Sequence, residues 1–372
     1  MAAGLAALTA GVGSWRARAD AQSWPHWEAY VDRFISQEGR VVSPTEHGRT
    51  TSEGQAYALF FALVNDDRPR FDALLRWTEA HLAHGDFRRH LPSWLWGHDS
   101  QKRWRVLDAN SAADADLWLA YDLIEAGRLW REPAYTSLGR AVLARMRREE
   151  TATLPGLGAM LLPAPRGFEV VKGKVWRLNP SYTPPQLLER LSSVDPAGPW
   201  HEILASSTRV LEEGSTHGLA ADWVAYRAGR GIEIDPQKGA IGSYDAIRVY
   251  LWAGMMAPED PLSVRWRRST EGLQRAWRTT GVVPERVDVR TDVTSGRGPI
   301  GFVAALLPAL HVSADPSESL LEHQLSTSLD GGLYGRPPAY YDQNLILFAH
   351  GFTERRFRFA ADGSLAPRWG KP

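Results

Sequence analysis

Hydrophobic positions recur with a helical period over most of this chain. From residue 24 onward, apolar residues fall at three- and four-residue intervals in roughly twelve segments. These lie near 24–38, 52–65, 69–83, 111–130, 133–150, 184–192, 200–214, 245–256, 262–280, 299–312, 316–328 and 340–354. Several open on a cap residue or a proline, as at Ser111, Pro133 and Pro299. Strand character is confined to short stretches. Glu169 to Val171 and Val175 to Arg177 flank Lys172-Gly173-Lys174 like a hairpin, and Trp223 to Tyr226 pairs with Gly231 to Ile234 as a second. No alternation of strand and helix supports a parallel sheet, and no short repeat supports a solenoid. The pattern predicts an all-α fold: a closed barrel of antiparallel helices in one domain, residues 22–372, decorated by short β-hairpins.

Three of the predicted helices carry acids at their starts. Ser52 and Gln55 have the spacing of a capping box, which puts Glu53 in a first turn and Ala56, Leu59, Phe60 and Leu63 on a buried face. Ser111 and Asp114 repeat that spacing. Asp245 follows closely after Ser243, with Arg248 three residues on and on the same helix face. Each acid taken singly complements a helix dipole. All three opening into one cleft would form a catalytic constellation.

Composition narrows the chemistry. With 44% hydrophobic and 23% charged residues among 372, the chain can bury a large core. Lys+Arg and Asp+Glu both number 43, so no global basic field attracts nucleic acid, and a neutral polymer is the more natural partner. Sixteen Trp exceed the needs of a core, and their flat faces with a polar edge suit sugar rings. The absence of cysteine excludes disulfides, thiolate metal sites and a Cys nucleophile. His81, His84 and His90 lack a well-spaced partner for a metal site. Gly156-Leu157-Gly158 lacks the strand and third glycine of a dinucleotide loop, and Arg265 to Arg268 reads as a solvated helix face. No cofactor is expected. The apolar run from Ala2 to Gly13, followed by Ala17-Arg18-Ala19, resembles the core and cleavage region of a secretory signal and is too short for a good membrane span. Residues 1–21 are therefore read as a leader, and the chain as periplasmic or secreted, without membrane insertion.

Five stretches together carry a resemblance: Ile35 to Val41, Thr51 to Gln55, Leu91 to Gly97, Arg177 to Tyr182 and Ser243 to Tyr250. On these the chain resembles glycoside hydrolase family 8, most closely its members encoded with bacterial cellulose synthase. The resemblance implies an (α/α)6 barrel that hydrolyses a β-1,4-glucan chain with inversion, in proximity to a cellulose-exporting assembly. Family 8 relatives acting on xylan or chitosan, or a non-catalytic glucan-binding protein on the same scaffold, are the alternatives.

Carried over by position, Glu53 matches the family's general acid, Asp245 its general base and Asp114 the acid that holds the sugar at the cleavage point. Ala113 stands where the family has Ser or Thr, and Asp122 where a small residue is usual. Tyr182 resembles the residue beside the attacking water, and Asn179 belongs to the same substrate-binding motif. Arg248 is expected to orient an acid. Trp94 and Trp96 alternate in a loop, so that one stacks a glucosyl ring while the other packs inward, with Trp96 assigned to the substrate. A helix dipole favours the ionised form of Glu53, which opposes its use as an acid. Burial against aromatics or the field of Asp114 is expected to raise its pKa.

Overall fold

The computed structural model describes residues 23–370; the expected leader lies outside them. Fourteen described helices, in six pairs of inner and outer segments, account for the twelve segments of the sequence pattern once two breaks are allowed for. The inner positions are held by α2 (Ser52–Val64), α4 (Ala113–Leu129), α6 (Pro185–Val194), α8 (Ile247–Met255), α11 with α12 (Ile300–Ala305 and Leu307–Val312) and α14 (Tyr340–Thr353). Each packs on the next, and α14 closes the ring on α2. The outer positions are held by α3 (Arg68–Leu82), α5 (Pro133–Glu149), α7 (Trp200–Gly214), α9 with α10 (Ser263–Arg268 and Glu271–Thr280), α13 (Glu318–Ser326) and α1 (Pro25–Phe34). The α1 helix, first in the chain, covers α14, the last.

Burial follows from this layering. An inner helix covered by the barrel axis on one side and by an outer helix on the other needs no polar stripe; α6 alone of them keeps one, at Glu189, Arg190, Ser192 and Ser193. In α2 every residue is buried except Glu53, which is largely buried with a side chain 20% exposed, and this corrects the expectation of a single buried face. The outer α5 buries only Tyr135, Gly139, Val142, Leu143 and Met146, one stripe at helical spacing. One apolar core runs from Trp24 to Leu365.

The two breaks have local causes. Pro308, in the first turn of α12, has no N–H to donate and its ring crowds the carbonyl four residues earlier, so the segment expected at 299–312 divides at Leu306. In the segment expected at 262–280, the hydroxyls of Ser269 and Thr270 bond back to the carbonyls of Arg265 and Trp266 and end α9. The arginine run there is only partly solvated: Trp266 is buried, and Arg267 reaches the Met256 carbonyl.

The hairpins sit in the connections. Strands β1 (Thr50–Thr51), β2 (Leu95–His98) and β3 (Trp104–Asp108) form a small antiparallel sheet at the start of α2. Strands β4 (Thr151–Leu154) and β5 (Gly158–Leu161) make a hairpin whose turn uses Gly156. The two hairpins expected at 169–177 and 223–234 are both present, as β6 (Glu169–Val171) with β7 (Val175–Leu178) and β8 (Val224–Arg227) with β9 (Gly231–Ile234). They join edge to edge through β7 and β8 into one four-stranded sheet.

Candidate active site

Glu53, Asp114 and Asp245 come from α2, α4 and the turn before α8, three inner elements, and they meet on one side chain. Arg248 lies within 3.3 Å of Glu53 Oε2, 3.6 Å of Asp114 Oδ2 and 3.0 Å of Asp245 Oδ1. The guanidinium is buried, and it also donates to the hydroxyls of Tyr341 at 3.2 Å and Ser181 at 2.9 Å. The sequence suggested a modest orienting role for Arg248. In the structure it is the common counter-ion of all three acids, which its fork of five donors suits.

Each acid is delivered by a different local device, and none by the capping box expected. Thr51, not Ser52, caps α2, with its hydroxyl accepting from the Gly54 N–H at 3.1 Å. Gln55 is turned into the core, where it accepts from the Val41 N–H at 2.6 Å and donates to Thr78 Oγ1 at 2.8 Å. Glu53 thus stays in the first turn for a different reason from the one expected. Ser111 lies outside α4, which starts at Ala113, and its hydroxyl bonds to the buried Glu150. Asp114 instead accepts from the Ala115 N–H at 2.9 Å. Asp245 sits in the turn just before α8, not within its first helical turn. Ser243 does not cap α8 with its side chain either, because its hydroxyl donates to the Glu285 carbonyl.

The electrostatics separate the acids. Burial raises the Glu53 pKa to about 7 against the opposing pull of Arg248, and the charges of Asp114 and Asp245 push the same way as burial. Asp114 is raised to about 6, again by burial first and against Arg248. Glu53 therefore holds a proton through much of the range below neutrality. For Tyr182, burial and then the fields of Asp114 and Asp245 keep the hydroxyl protonated. Its ring lies 5.8 Å from the Arg248 guanidinium and 6.0 Å from the ring of Trp223, which stacks on Phe168.

The remaining expected residues fall into supporting places. Asn179 is buried, and its Oδ1 accepts from both the N–H and the hydroxyl of Ser181, the residue that meets Arg248. Its visible work is to shape that turn. Trp96 is the inner member of a stack, 4.6 Å from Trp104 in near-parallel planes and edge-on to Trp77. The exposed ring is Trp104, at 44%, with the Arg40 guanidinium 4.1 Å from its centre. Trp104 carried no motif to mark it; its only signal is an apolar ring outside the predicted helices.

Sequence reasoning also missed Tyr341 and Asp222. Tyr341 donates to the Tyr244 carbonyl at 2.6 Å while accepting from Arg248, and it lies beside the visible helix start at Tyr340. Asp222 lies in a connection with no periodicity to flag it.

A proton-holding carboxyl, a second carboxylate and a third acid gathered in a barrel of paired helices define a site built for acid–base hydrolysis. The family model for glycosyl hydrolases family 8 matches residues 4–355, and the chain belongs to that family and is a glycoside hydrolase. It is 46% identical over 352 residues to an endoglucanase of Xanthomonas axonopodis pv. citri, covering 94% of this chain and 90% of that one. An endoglucanase of Salmonella typhi is 45% identical over 350 residues, with 94% and 92% covered. The crystal structure of an endo-1,4-D-glucanase from Vibrio fischeri superposes with a TM-score of 0.87 at 40% identity, over 93% of this chain and 99% of that one. The fold is the (α/α)6 barrel of that family.

Proposed function

We propose that this enzyme is an endo-β-1,4-glucanase that cleaves internal bonds of a cellulose-like chain with inversion of the anomeric centre. The observation that carries the reading is the sharing of Arg248: Glu53 is bound at one of its terminal nitrogens, and Asp245 and Asp114 at the other. Glu53, raised to about 7, gives its proton to the glycosidic oxygen as the C–O bond breaks. Asp245 takes a proton from the water that attacks the opposite face of the sugar. Asp114 holds the ring between them, and the Tyr182 hydroxyl holds the water. Glu53 and Asp245 contact different nitrogens of one guanidinium, and inversion asks for roughly 6.5–9.5 Å between the two carboxyl groups, room for a water. The names of the relatives, all endoglucanases, support glucan as the substrate. We further propose that the enzyme works outside the cytoplasm on glucan in the course of its synthesis and export, a reading supported by the leader-like segment and the resemblance described above.

Proton NMR of fresh products from cello-oligosaccharides tests the mechanism. The α-anomer should appear first with the wild type, with almost no product from Glu53→Gln. Initial β-anomer would contradict inversion, and faster cleavage of xylan or chitosan than of glucan would move the substrate to another glycan.

A further inference from the structure

Asp222 stands in the connection before β8, twenty-three residues ahead of Asp245 in sequence. Its carboxylate Oδ1 accepts three backbone N–H groups of one turn: Ser243 at 2.8 Å, Asp245 at 3.1 Å and Ala246 at 2.7 Å. The Asp222 N–H donates to the Ile241 carbonyl at 2.8 Å, which ties its backbone to the segment leading into that turn. The N–H groups of the turn that leads into a helix, like the helix's own first ones, have no partner within it. A local Ser or Asp side chain usually meets them, but at α8 the Ser243 hydroxyl is committed to Glu285 and the Asp245 carboxylate to Arg248. One oxygen from a distant segment therefore organises the turn that carries Asp245.

We propose that Asp222 is the positioning residue for the base, fixing the backbone of Asp245 while Arg248 fixes its carboxylate, so that the water is activated in line with the breaking bond. The proposal rests on the reading of Asp245 as base. The effect of Asp222 passes through the 243–246 turn, whose N–H groups it holds. The acceptor, not the charge, is what the turn requires. Burial raises the Asp222 pKa while the three N–H donors oppose that shift, so an amide oxygen in the same place is a fair substitute.

The test compares Asp222→Ala, Asp222→Asn and Asp245→Asn by kcat and KM on cello-oligosaccharides, with melting temperature as a check on folding. Loss of position costs kcat, whereas loss of general binding would raise KM. Asp222→Ala should lose roughly 10²-fold in kcat, the scale of a misplaced catalytic group, with little change in KM. Asp222→Asn, which keeps the acceptor, should recover most of that loss. Asp245→Asn should be nearly inactive. An inactive Asp222→Asn that melts like the wild type would overturn the proposal, because the charge would then be what matters. A fully active Asp222→Ala beside an inactive Asp245→Asn would overturn it while leaving the base assignment intact. An active Asp245→Asn would remove the base assignment itself, and the proposal with it.

Discussion

At Glu53 two effects of opposite sign meet. The Arg248 guanidinium at 3.3 Å favours the carboxylate, and burial favours the neutral acid. Burial wins, with Asp114 and Asp245 adding to it, so an acid at a helix start, where the dipole favours ionisation, still carries its proton. The need for such a shift was legible from the position of Glu53, and Asp114 was legible as one source of it. The dominance of burial was not, because it depends on helices that the sequence does not place. Asp114→Asn should therefore lower the pKa of Glu53, both by removing an anion and by freeing Arg248 to act on Glu53 alone. The alkaline limb of kcat/KM, which reports the free enzyme's acid, should move to lower pH, whatever kcat is lost through poorer sugar placement. A limb that stays in place or moves to higher pH would mean that Asp114 does not act on Glu53.

The elements fix how closely these residues approach. Gly54 follows Glu53 in α2, and a side chain added there would overlap the Tyr340 hydroxyl at the start of α14. The two inner helices that close the ring therefore meet through a glycine. In an isolated helix Gly→Ala gains about 1 kcal/mol; here the overlap must displace Tyr340 or the first turn of α2. Gly54→Ala should thus lower both the melting temperature and kcat, and a variant more stable than the wild type would show that the two helices have room to part. The period of the inner helices was plain in the sequence, but their starts were not. Gln55 and Ser111 have capping-box spacing yet bond into the core, because partners from elsewhere, Val41 and Thr78 for Gln55 and Glu150 for Ser111, outbid the local amide. Asp222 was invisible for the same reason: its three bonds join segments some twenty residues apart.

Across the whole molecule, the polar groups buried in the barrel make stability depend on pH. Behind Asp114, Glu150 and Asp116 are both fully buried, and Glu150 is raised to about 8. Its causes begin with burial, which the Ser111 hydroxyl only partly offsets. An unfolded Glu titrates near roughly 4.3, so the folded state holds a proton there that the unfolded state releases. The stability tied to this proton is complete below the unfolded value and is lost as pH rises through about 8. Glu150→Gln has no proton to lose and can still accept from Ser111, so its melting temperature should fall less steeply between pH 6 and 9 than that of the wild type. Parallel curves would place the ionisation elsewhere. The barrel class and the three acids were readable in helical period and in the family motifs. The long-range pairs that charge, neutralise and aim those acids were not, because each joins helices far apart in the chain.

The protonation of Glu53 can be observed directly. In enzyme labelled with carboxyl-¹³C glutamate, the Glu53 resonance is the one missing from Glu53→Gln, and its shift can be followed against pH. The account predicts a midpoint at about 7, well above the ordinary glutamate range; a midpoint near roughly 4.3 would mean that Arg248 outweighs burial, and Glu53 would not be the proton donor of this site.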